Sequence, residues 1–202
     1  MHFQIPMVYG KLALSGEQAP GFREVFPLVQ IPDVQGGRGR FRKDNLTLNR
    51  FTGCAGQHIY RGDRLPSDFY GDYIIPEPVG RLVRRAKVVY ENGKTVVKNA
   101  TPGTEFLRSR DANFRPVHAS TGPDGCLYIL DMYRGIIQEG NWVRPGSYLR
   151  DVVENYGLDK NIGRGRIYRL VHETTERGPS PRLIHAPARE LVSHLSHPNG
   201  WW

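Results

Sequence analysis

Arg115, Asp131 and Arg134 are the side chains in this sequence best suited to hold an anion. A guanidinium fork grips a carboxylate through two parallel hydrogen bonds, so Arg115 is a candidate anion-binding group. Asp131 and Arg134 follow the end of an apolar run, where binding residues collect on loops. An ion pair between Arg115 and a neighbouring acid such as Asp131, or capping of a turn, would explain the same residues structurally. Glu77 and Asp63, each beside a predicted strand break, are two further candidates, for contact with substrate. Histidines 58, 118, 185, 194 and 197 show no spacing with a carboxylate or Cys that would make a metal site.

The positioning element is the stretch 113–138, NFRPVHASTGPDGCLYILDMYRGIIQ. Gly122-Pro123-Asp124-Gly125 is a turn by composition, since Pro presets φ, Asp bonds its own backbone and Gly accepts φ > 0. The apolar, aromatic and β-branched residues 126–131 form the strand after it, and residues 114–119 the strand before it. Arg115 then stands at the start of one strand and Asp131 at the end of its neighbour, which in an antiparallel pair is the same edge.

Composition bounds the rest. The 202 residues, 39% apolar and 10% aromatic, suffice for a sizeable core in one or two domains. Twenty-three Gly and fifteen Pro without a collagen period imply many short elements joined by tight turns, which favours β over helix. The net charge of +8 would suit a polyanion, but Lys and Arg are spread along the chain, so no nucleic-acid partner is expected. Cys54 and Cys126 lie far apart and fit neither a metal knuckle nor a haem attachment; free thiols are expected. No run approaches a transmembrane length, and the first residues have no signal-peptide pattern.

In chain order, residues 1–32 read as short apolar pieces, 11–14 and 25–31 among them, and residues 36–40 as a basic, solvated turn. Short strands follow at 57–60 and 73–75, broken by Pro66 and stopped by Pro76. Residues 81–88 alternate apolar with Arg and Lys, predicting a strand with one wet face and Arg heads in water. Asn92-Gly93, flanked by β-branched runs, predicts a two-residue hairpin. Gly165-Arg166-Ile167-Tyr168-Arg169 then echoes Gly80-Arg81-Leu82-Val83-Arg84, so a β-meander recurs. The insertion between the second meander and this echo, residues 139–163, carries helical spacing at 148–156. After a polar linker at 173–186, Pro187 opens a helix over 187–195. The stop at Trp201-Trp202, early for a helical domain, is expected of a truncated chain.

The order IYRGDRLPSDFYGDYIIPEPVGRLVRR, EFLRSRDANFRPV, GPDGCLYILDMYRGIIQ and GRGRIYRL resembles the propeller of the membrane-bound dehydrogenase-like family of planctomycetes and related bacteria. That family is related to the glucose/sorbosone dehydrogenases, and the likeness spans residues 25–170. It implies an all-β fold: a partial β-propeller, an open arc of blades, over 1–172, a linker over 173–186, and at 187–202 the start of a helical HEAT-like repeat. It implies further a secreted or periplasmic parent acting on a sugar or alcohol, with pyrroloquinoline quinone as cofactor and a haem c domain as partner. The relatives contact the quinone through an Arg-x-Arg segment before a Pro-Asp-Gly turn. The matching positions here are Asn113 and Arg115, so only the second Arg is retained. The stretch 76–80 lacks the Lys that those enzymes use. A non-catalytic propeller binding a polysaccharide or a protein is the other function class.

Overall fold

A computed structural model describes residues 17–33, 37–137 and 143–202. The expected apolar piece at 11–14 lies outside the described residues, as do Gly36 and residues 139–142 of the insertion. The described chain is mostly β, with two sheets and few helices.

The first sheet contains β1 (Glu17–Gln18), β2 (His58–Ile59), β3 (Tyr73–Glu77), β4 (Leu82–Glu91), β5 (Lys94–Asn99) and β6 (Leu107–Arg108). It is antiparallel except for β1, which joins β5 in parallel. The ten-residue β4 is its axis: β3 lies along one side, while β6 and β5 share the other in series. Asn92 and Gly93 turn the chain from β4 into β5 at φ 49° and 77°, values that Asn and Gly accept at least cost. The second sheet is the expected hairpin, β7 (Pro116–Thr121) and β8 (Leu127–Asp131), extended by β9 (Arg166–Leu170). Both copies of the Gly-Arg echo therefore lead into the third strand of a meander, β4 in one and β9 in the other.

The sheets meet face to face, β7 against β2 and β3. Tyr60, Ile74 and Val83 from one side and Ala119, Leu127 and Ile129 from the other form one buried cluster. The opposite face of the first sheet is covered too, by Phe22, Val25, Leu48 and Phe51 of the N-terminal loops packed on Ile75, Leu82 and Ala86. Both faces of β4 are thus inside over residues 82–86, while residues 87–91 are half-buried or exposed. This corrects the expectation of a wet face: Arg81, Arg84 and Arg85 are 1%, 0% and 8% exposed. Burial is tolerated because each has a carboxylate partner: Asp33 for Arg81, Glu105 for Arg84, and Asp72 with Asp68 for Arg85.

The insertion folds as α1 (Tyr148–Tyr156), capped by Ser147 through the Arg150 N–H and ended by Gly157 at φ 59°. Its apolar positions Leu149 and Val153 are buried. The tail carries α2 (Ala188–Ser193) between single 3-10 turns. Buried Asn199 then donates to the carbonyls of Gly122 and Pro123, fixing the tail on the β7–β8 turn. No helix among the described residues is long and apolar enough to cross a membrane.

Candidate functional site

The open end of the β7–β8 hairpin gathers the charged residues. Arg115, immediately before β7, is 1% exposed, and its guanidinium is directed across the sheet interface. Nη2 pairs with the Asp33 carboxylate and donates to the Gly135 carbonyl at 2.5 Å; Nη1 donates to the Pro78 carbonyl at 2.8 Å and Nε to the Arg134 carbonyl at 3.2 Å. Arg81 reaches the same Asp33 from the first sheet, at 2.6 Å through Nη2 and 3.3 Å through Nη1. It also donates to the Ala112 and Val79 carbonyls. Arg81 holds a left-handed backbone, φ 57°, a conformation that costs a non-Gly residue about 1 kcal/mol and that these bonds offset.

Asp33 is therefore a carboxylate shared by two buried guanidiniums, tying an N-terminal loop to both sheets. Burial alone would raise its carboxyl, but Arg115 and Arg81 outweigh that and hold it below the usual Asp range. Burial and the adjacent Arg81 bring Arg115 down to about 10, still cationic at neutral pH.

The expected Arg115–Asp131 ion pair is replaced by a different contact. Asp131 Oδ1 accepts the backbone N–H groups of Arg115, at 2.7 Å, and of Tyr133, at 2.8 Å, while the Arg115 side chain goes to Asp33. Asp131 Oδ2 is buried without a partner, and burial pushes the carboxyl up from its ordinary value. Of Arg134, the backbone carbonyl joins the cluster. Asn113 folds back on Asp111, taking it through both its backbone and its side-chain N–H.

Glu77, at the end of β3, is fully buried and fixes a loop. It accepts from the backbone N–H groups of Thr52, Gly53 and Val79 at 3.0 to 3.1 Å, and from the Cys54 thiol at 3.4 Å. Burial and the Glu77 carboxylate push the Cys54 thiol well above the ordinary range. Asp63 lies apart, at the turn end of the hairpin beside Gly125, with Arg64 at 3.2 Å. Glu77 and Asp63 thus do not converge on one site.

With this geometry in view, residues 9–174 match a family described as Domain of unknown function (DUF7133). The chain belongs to that family. No curated protein and no solved structure matches the chain.

Within this DUF7133 domain the quinone implied by the resemblance can be tested against the residues present. A guanidinium that grips a quinone carboxylate must have free N–H groups and an open approach. Arg115 offers neither a fork of two free N–H groups nor an approach: four of its five N–H donors go to Asp33 and three carbonyls, and it is buried. Asn113 supplies no cation in place of the missing Arg. These residues do not fit the cofactor, and no redox step is assigned to them. Among the described residues no group of three or more His, Cys, Asp or Glu could hold a metal.

Besides the Asp33 clasp, Arg84 and Glu105 form a second buried ion pair, and neither acid is singled out by sequence pattern. The Gly-Arg echo points to Arg81 and Arg84, but their acids lie at distant positions in unpatterned loops.

Proposed function

We propose that this DUF7133 chain is a wall segment of the β-propeller of a secreted sugar or alcohol dehydrogenase-like protein, holding blades in place while redox chemistry occurs elsewhere in the parent. The observation that carries this reading is Asp33 clasped between Arg81 of one sheet and Arg115 of the other. A site built for turnover would aim a guanidinium at its ligand, whereas Arg81 and Arg115 both turn inward onto Asp33 and backbone carbonyls. Two meanders packed face to face, each opening its third strand with the same Gly-Arg pattern, suit two neighbouring blades of an open arc. The α2 tail suits the beginning of a HEAT-like repeat.

The test is quinone-dependent dye reduction by the parent protein on a panel of sugars and alcohols, in parallel with this chain alone. Reduction by the parent and none by this chain is expected. Reduction by this chain would overturn the assignment of a structural role.

A second reading, a non-catalytic propeller that binds a polysaccharide, has one observation in its favour. A shallow groove of about 310 Å³ is lined by His58, Arg61, Ser120 and Trp201. It offers a half-exposed indole face next to hydrogen-bonding groups, a combination that suits a sugar ring. A parent that reduces no dye with any substrate but is retained on a polysaccharide column would favour it.

A further inference from the structure

The two third strands differ in what lies beyond them. On β4 the far side is filled by β6 and β5. β9 pairs with β8, and among the described residues no strand pairs with its other edge. The exposure of matching positions in the echo follows that difference: Leu82 and Val83 are fully buried, whereas Ile167 and Tyr168 are 68% and 38% exposed. The guanidiniums diverge in the same way. Arg84 receives Glu105, two residues ahead of β6, whereas its counterpart Arg169 is exposed, bonded to the Tyr128 hydroxyl of the neighbouring strand with Asp124 at 3.6 Å. Arg81 receives Asp33, whereas its counterpart Arg166 lies over the Tyr133 ring and donates to the Tyr168 hydroxyl.

We propose that the outer edge of β9 is a docking site for an extended, carboxylate-bearing segment of another polypeptide, which adds to the sheet as its fourth strand and pairs an acid with Arg169. Unpaired strand N–H and C=O groups are a template for such addition, with side-chain chemistry selecting the partner. Charge decides the class of partner. Residues 1–16 of this chain contain no acid, and neither does β9 itself, so its own N-terminus and a second β9 both bring nothing to Arg169. The sequence that fills the equivalent place on β4 has an acid followed by two apolar residues, Glu105-Phe106-Leu107.

The pairing rests on the comparison of β4 with β9, independently of any redox role. It is tested by titrating the ¹⁵N-labelled chain with the peptide of sequence GTEFLR, that of residues 103–108, and with the same peptide carrying Gln for Glu. Amide shifts centred on 166–170 are expected to saturate with the Glu peptide, the Gln peptide binding about tenfold more weakly. Arg169→Gln, at an exposed position, should abolish that preference. No shifts at millimolar peptide, equal affinity for the two peptides, or protection of the β9 amides by concentration-dependent self-association would each overturn the proposal.

Discussion

Arg115 pairs with Asp33 across 82 positions of sequence, and the same carboxylate holds Arg81. Two cations on one acid make the acid the critical member. Asp33→Ala would leave both guanidiniums buried without their counter-charge, and breaking such a pair costs about 3 to 5 kcal/mol. Urea denaturation of the wild type and the variant should show a lower midpoint with an unchanged slope.

Acid should release the same clasp. The Asp33 carboxyl is held below its unfolded value, so its contribution is present above roughly pH 4 and is lost as pH falls through the folded value. Melting curves between pH 6 and pH 3 should therefore show a steeper loss for the wild type than for Asp33→Asn, which cannot titrate there.

Asp131 should respond in the opposite sense. Its carboxyl is raised by burial, so its contribution is present at low pH and fades as pH rises through the folded value. Asp131→Asn keeps the Oδ1 acceptor for the Arg115 and Tyr133 N–H groups and should gain stability relative to wild type more at pH 7 than at pH 4. Asp131→Ala strands both donors and should cost about 2 kcal/mol. Calorimetry of the two variants at both pH values checks the order.

What was legible in the sequence was local. The Asn92-Gly93 hairpin, the 122–125 turn and the 148–156 helix are each specified by residues within a few positions of one another, through φ preference, capping and periodicity. The recurrence of the Gly-Arg pattern also located the third strand of both meanders. The partners of the arginines were not legible. A buried Arg and a solvated Arg alternate with apolar residues in the same way, and only a carboxylate supplied from a distant loop, Asp33 or Glu105, distinguishes them. The place of Arg115 at the hairpin edge follows from the sequence, but the direction of its guanidinium depends on packing against the first sheet.

Glu77 gives a prediction for the thiol beside it. Burial and the Glu77 carboxylate keep Cys54 protonated. Glu77→Gln removes the charge while preserving an acceptor for the loop N–H groups, so iodoacetamide labelling of Cys54 in the folded state should accelerate on the order of tenfold. Mass spectrometry of the labelled peptide distinguishes Cys54 from Cys126.

Whether Arg115 is a clasp or a cofactor contact is settled most directly by measuring melting temperature and quinone affinity on this chain and its Arg115→Gln variant side by side. Loss of the Asp33 pair predicts a melting temperature lower by about 10 °C, with no difference in quinone affinity between the two proteins. An unchanged melting temperature together with abolished quinone binding would contradict the structural assignment and return Arg115 to the cofactor site.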